Sequence, residues 1–265
     1  MLSARNLIVL FGACLSWVTV SATAFGQDPK PAFDSEPAAK PSVSGAAGAQ
    51  LKPEDRGDVY MARKMYREAI ETYALAPQDS AIVWNKVGIA YHQMMQLDAA
   101  MKRYQRAIRL DDKYPEAINN LGTIYYAEKR YGKAASYYKR ALKLAPASAS
   151  IYSNLGTAYF AEKKYKDARR AYDTALRLDP EVFEHHNTYG VLLQERTVDE
   201  RAKYHYYLAG IYAEHGQTDL ALQYIRKALE EGFTDRKKFL QDPEFASLRD
   251  LPEFKEILKL EPRVL

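Results

Sequence analysis

The chain has 265 residues, 47% of them hydrophobic and 27% charged, enough apolar material to exclude wholesale disorder. Thirty-eight Lys and Arg against 34 Asp and Glu leave a formal charge of +4, too balanced to mark a nucleic-acid binder, so no nucleic acid is expected as a partner. The unusual component is tyrosine, 21 in number, and the spacing of these residues decides whether they fill helix interfaces or form a stacking surface.

In chain order, residues 1–26 read as an export signal. Arg5 supplies a positive start, Leu7 to Val20 is mostly apolar, and Ala22-Thr23-Ala24 puts small residues where a signal peptidase reads them. Cleavage is expected before Phe25, with a second site before Gln27, and the expected location is exported, periplasmic or secreted. The apolar stretch is shorter than the roughly 20 residues a spanning helix needs. The one cysteine, Cys14, lies in this segment, so a processed chain carries no thiol and folds without disulfides. Phe11-Gly12-Ala13-Cys14 loosely resembles a bacterial lipid-attachment sequence, with Phe11 where an aliphatic residue belongs; a lipid on Cys14 is the alternative to cleavage. Residues 27–50 are rich in Pro, Ala, Ser and Gly and bury too little to offset their ordering entropy, which predicts a flexible linker.

Beyond the linker the chain repeats itself. Gly88, Gly122, Gly156 and Gly190 are each 34 residues apart, and the same step relates Tyr91, Tyr125 and Tyr159; Ala100, Ala134 and Ala168; Tyr104, Tyr138 and Tyr172; and Ala107, Ala141 and Ala175. Gly and Ala at helix crossings allow close approach, while Tyr and Leu at spacings of three and four fill one face, so the tyrosine stripe is read as packing rather than as a ligand platform. Pro146 and Pro180 end second helices. The pattern Asn120-Leu121-Gly122 with Tyr125, Ala134, Tyr138, Ala141 and Pro146 resembles the tetratricopeptide repeat family, as does Asn154-Leu155-Gly156 with its equivalents. The resemblance implies an all-α fold, an α-α superhelix (solenoid) of stacked antiparallel helix pairs.

Whole repeats are predicted at 81–114, 115–148 and 149–182, the first with Asp112 where the closing proline would stand. A short one spans 51–80, because Gly57 precedes Gly88 by only 31 residues, and Glu54, Asp55 and Asp58 are expected to keep that end of the array polar. Residues 183–201 are predicted as an additional helix and connection. A displaced hairpin follows at 202–234, preferred over an in-register reading because Leu208, Tyr212, Ala221 and Ala228 match more of the pattern. Residues 235–265 read as a helical cap of two short units, Asp242-Pro243-Glu244-Phe245 and Leu251-Pro252-Glu253-Phe254, with Asp242 expected to cap the helix it precedes.

The resemblance also implies that first helices line a concave groove. The positions facing it are Asn85, Lys86, Asn119, Asn120 and Asn154, then Thr123 and Thr157 one turn on, then Tyr126 and Phe160. Asn120 and Asn154 are read as a ladder gripping the amides of an extended peptide, with ties between helices as the alternative role. A clamp for a terminal carboxylate is excluded, since the first repeat offers Glu54 and Asp58 instead of basic groups. The second helices carry stacked cations, Lys102, Arg103, Arg106 and Arg109, then Lys133, Lys139, Arg140 and Lys143, then Lys164, Lys166, Arg169, Arg170 and Arg177, predicting a basic convex ridge for an anionic partner or membrane surface, or a plainly solvated face. No phosphate loop, nucleophile elbow or metal motif is present, and no enzyme activity or cofactor is expected. The residual candidate for a metal-dependent enzyme is His185, His186 and His205 with Glu184. The leading expectation is an exported scaffold that binds a protein or peptide in the groove, and the second a membrane-associated envelope assembly factor using the ridge or a lipid on Cys14.

Overall fold

The computed structural model describes residues 51–184 and 197–260. The export signal, Cys14, the linker, His185, His186 and nearly all of the additional helix lie outside these residues. Within them every regular element is helical: α1 (Pro53–Ala62) and α2 (Tyr66–Tyr73), α3 (Ala81–Gln93) and α4 (Leu97–Leu110), α5 (Pro115–Ala127) and α6 (Tyr131–Leu144), α7 (Ala149–Ala161) and α8 (Tyr165–Leu178), α9 (Val198–Glu214) and α10 (Thr218–Glu230). These are followed by α11 (Lys237–Gln241), a 3-10 turn (Pro243–Leu248) and α12 (Pro252–Ile257). Helices pair within each hairpin, and α2, α4 and α6 each pack on the first helix of the next, the arrangement of a solenoid.

One pair of residues sets the geometry of each hairpin. Gly57, Gly88, Gly122 and Gly156 face Tyr73, Tyr104, Tyr138 and Tyr172, sixteen residues on, and a methyl group on any of these glycines would come within 2.3, 2.6, 2.8 and 2.5 Å of the ring. All four rings are buried, so the tyrosine series is core. In the last hairpin Ala209 and Ile225 hold the same places, a larger residue for glycine and a smaller one for tyrosine, both fully buried. The tight turn between paired helices needs a left-handed residue, supplied by Lys64, Met95, Lys129 and Lys163 at φ 59–60° and by Gly216 at φ 69°.

Helix α9 begins at Val198, four residues before the expected hairpin, because Thr197 and Glu200 form a capping box: Thr197 Oγ1 accepts from the Glu200 amide at 3.2 Å and Glu200 Oε2 from the Thr197 amide at 3.3 Å. Thr197-Val198-Asp199-Glu200 carries that signature in the sequence. Helix α9 pairs with α10 as a first helix and rests on the previous hairpin through aromatic rings, Phe160 to Tyr204 at 5.9 Å, Phe160 to Tyr207 at 5.8 Å and Tyr165 stacked on Tyr207 at 5.3 Å.

Of the expectations at the two ends, one is corrected, the Asp242 cap. Glu54 and Asp58 pair with Lys86 yet keep 34% and 47% of their side-chain surface open to solvent, and Asp55 is exposed, so these acids do lend polarity to that end. The places that bury Val83, Val87 and Ala90 in α3 are taken at α1 by Lys52, Arg56 and Val59, so basic side chains add to the polarity of that end. At the other end Asp242 caps nothing with its side chain; its carboxylate accepts from the Tyr206 hydroxyl, while Arg249 donates to its carbonyl at 2.7 Å. Phe233, Phe239 and Phe245 gather around the Tyr206 ring, the first stacked on it at 4.6 Å.

Candidate functional site

The first helices α3, α5 and α7 bring the expected asparagines together, and their amides bond to one another across repeats. Asn120 Nδ2 donates to Asn85 Oδ1 at 3.0 Å, and Asn154 Nδ2 to Asn119 Oδ1 at 3.0 Å. Asn119 Nδ2 donates to Asn120 Oδ1 at 3.3 Å, joining the two rungs, and Asn85 Nδ2 donates to the Tyr114 hydroxyl at 3.3 Å. All four residues are no more than 6% exposed. Buried amides demand partners, and the 34-residue step supplies each with a neighbour one repeat away. The first rung is ionic: Lys86 Nζ lies 2.9 Å from Glu54 Oε1 and 2.7 Å from Asp58 Oδ2. Burial opposes the Lys86 charge, but hydrogen bonds to Asp58 and Glu54 outweigh it and raise its pKa above the ordinary lysine value.

Thr123 and Thr157 are buried as well. Thr123 Oγ1 donates to the Asn119 carbonyl at 3.2 Å and accepts from Tyr138 at 3.4 Å, and Thr157 Oγ1 accepts from Tyr172 at 3.1 Å. Phe160 is buried against Tyr165, Tyr204 and Tyr207. Of the nine expected contact residues, Asn85, Asn119, Asn120, Thr123, Asn154, Thr157 and Phe160 thus belong to the interior, and only Lys86 and Tyr126 remain partly open to solvent. His92 and Gln93 on α3 and Tyr152 and Ser153 on α7 share that partial exposure. The row ends at α9, where Tyr206 and Gly210 hold the positions of Asn119 and Thr123. The chain's own Asp242–Phe245 segment covers them, and a methyl group on Gly210 would lie 3.4 Å from Glu244 Cβ. Arg169 of α8 clamps that segment, donating to Glu244 and, at 2.5 Å, to Glu214.

On the second helices several of the ridge cations are already engaged. Arg103 lies over the Trp84 and Tyr91 rings at 5.5 and 5.6 Å, Lys133 over Tyr125 at 4.0 Å, and Arg177 pairs with Asp173 at 3.3 Å. Lys102, Arg106, Arg109, Lys143 and Lys166 are exposed. Of the histidine candidates, His205 Nδ1 lies 2.8 Å from Glu231 Oε2; burial lowers its pKa more than that carboxylate raises it. Glu184 accepts hydrogen bonds from Tyr212 at 3.2 Å and Tyr224 at 3.0 Å. Among the described residues no group of three or more His, Cys, Asp or Glu is arranged to hold a metal ion.

Comparison with known proteins gives two family matches, one described as Tetratricopeptide repeat over residues 125–189 and one as TPR repeat over residues 88–128. No curated protein matches the chain. Among solved structures, that of PilF of Pseudomonas aeruginosa is similar at 20% identity and a TM-score of 0.52, over 78% of this chain and 95% of that one. MamA from Desulfovibrio magneticus RS-1 is 19% identical with a TM-score of 0.47, over 69% and 94% of the two chains. At these identities the likeness concerns the fold alone.

Proposed function

We propose that this chain, matched by tetratricopeptide-repeat models over residues 88–189, is an exported protein-interaction scaffold that holds an extended segment of a protein partner along α3, α5 and α7. The observation that carries this reading is the interlocked amide floor: Asn85, Asn119, Asn120 and Asn154 fix the three first helices in register, with the partly exposed Lys86, His92, Gln93 and Tyr126 beside them. In this reading the asparagines shape and stiffen the surface, and the flanking side chains touch the partner, so little ordering entropy is lost on binding. Export rests on Arg5, the apolar run Leu7 to Val20 and Ala22-Thr23-Ala24.

A photo-crosslinking residue placed at Tyr126 or Gln93 in intact cells should capture a protein partner, while one at Arg106, on the second-helix side, should not. Capture from Arg106 alone would sink the groove reading. The amino-terminal sequence of the purified chain tests export separately: a start at Phe25 or Gln27 supports it, and an intact Met1 in the cytoplasmic fraction refutes it.

A further inference from the structure

The charge of this chain is sorted by helix. Helix α4 carries four cations and one acid, α6 four cations and no acid, and α8 four cations and two acids, a net +9 within a chain whose total is +4. The first helices α3, α5 and α7 together hold one lysine, Lys86, and one carboxylate, Glu116, and are neutral as a set. A merely solvated surface does not call for such segregation, because interspersed signs serve solubility as well.

The cations recur in register. Lys102, Arg106 and Arg109 form one stripe along α4; Arg140 and Lys143 take the last two of those places on α6, and Arg170 and Arg177 the first and last on α8. Arg140 spends a donor on the Asp112 carbonyl at 3.1 Å, which cancels none of its charge, and the Arg170–Asp167 pair is long at 3.8 Å, while Arg177 is partly offset by Asp173 at 3.3 Å. Beside the stripe, Leu144 and Leu178 are 40% and 43% exposed, each directly following a cation, Lys143 and Arg177.

We infer that the outer face of α4, α6 and α8 docks on a bilayer bearing anionic phospholipids. Packed helices lie about 8–10 Å apart. A first helix separates each second helix from the next, so the cation rows are farther apart than the Debye length of ~8 Å at physiological salt. Rows at that separation do not converge on one phosphate or one carboxylate. They suit a fluid sheet in which anionic headgroups collect beneath each row, with Leu144 and Leu178 entering the headgroup boundary. The surface is distinct from the neutral face of α3, α5 and α7, so a partner held there stays accessible while the scaffold sits on a membrane.

The test is co-sedimentation of the full chain with vesicles of phosphatidylcholine containing roughly one-third phosphatidylglycerol, an anionic content that sets up the surface potential. Binding is expected at low salt, with loss in about 0.5 M NaCl, where screening shortens to a few ångström, and none to pure phosphatidylcholine. The variant Lys102→Gln, Arg106→Gln, Arg109→Gln, Lys143→Gln should bind at least ~100-fold more weakly, at about fivefold per charge. A charge-matched control, Lys64→Gln, Arg67→Gln, Arg226→Gln, Lys237→Gln, removes as much charge from exposed positions elsewhere and should bind as the parent does. The proposal is overturned by absence of binding at low salt, by equal losses in variant and control, or by salt-resistant binding to neutral vesicles. Retention on immobilised polyaspartate or duplex DNA without vesicle binding would likewise overturn it, in favour of an acidic protein or a nucleic acid.

Discussion

Replacing Gly156 by Ala tests whether the Gly–Tyr pair sets the spacing of each hairpin. The new methyl would sit 2.5 Å from Cδ1 and Cε1 of Tyr172, a ring with no exposed surface. The ring cannot retreat easily, since its hydroxyl donates to Thr157 at 3.1 Å and Phe183 and Tyr204 press on it at 5.5 and 5.8 Å. Overpacking of this kind costs about 1–3 kcal/mol, and the better helix propensity of Ala offsets about 1 kcal/mol, leaving a net loss of about 1 kcal/mol. Tyr172→Ile alone opens a void and removes one hydrogen-bond donor from Thr157, at about 3 kcal/mol. The last hairpin pairs Ala209 with Ile225 in those places, so the double variant should lose only about 2 kcal/mol, a coupling of about 2 kcal/mol against additivity. Urea unfolding followed by far-UV circular dichroism measures all four corners of the cycle, and for a chain of this size each kcal/mol moves Tm by about 2–4 °C. Additive losses would refute the steric account of the conserved spacing within this chain.

Two further perturbations probe charge and the amide floor, and a third the cap. Burial lowers the His92 pKa below its ordinary value, so the contribution to stability is complete above about pH 6.5 and declines as pH falls toward the lowered value, because the unfolded chain takes up the proton first. Stability measured across that window should therefore fall less steeply for His92→Gln; parallel curves would exclude the histidine. Asn120→Ala leaves Asn85 Oδ1 without its donor in a buried site and should cost about 1–3 kcal/mol, whereas Lys86→Met, at the partly exposed ionic rung, should cost about 1 kcal/mol or less. Chemical denaturation ranks the two, and the reverse order would deny the amide rungs their structural role. For Glu244, burial alone would raise the pKa, but the Arg169 hydrogen bond outweighs it and holds the carboxyl below its usual range, so that contribution is present above about pH 4.5 and lost on acidification. Arg169→Met should cost about 1–2 kcal/mol, discounted for partial exposure, and admit protease at 242–250 before the hairpins are cut; unchanged cleavage there would show that the aromatic cluster alone holds the segment.

Much of this architecture is legible in the residues themselves. The 34-residue step of Gly88, Gly122 and Gly156 with Tyr104, Tyr138 and Tyr172 determines hairpins of fixed pitch, because a glycine and a ring sixteen residues apart fit only one helix crossing. The cationic second helices are equally plain, since charge needs no fold to be counted. The roles of the polar floor are another matter. Asn120 reads the same whether its amide meets a ligand or Asn85, and only the stacking of α5 on its neighbours brings the two within 3.0 Å and buries both. Glu54 and Asp58 gain an ionic partner only when α3 delivers Lys86, and Asp242 looks like a helix cap until Tyr206 reaches it from α9. Pattern along the chain determined which helices form and how they pair, because those forces act between residues close in the repeat. Tertiary structure decided which polar groups are left for a partner, because a buried polar group bonds to whichever group the packing of another helix places within reach.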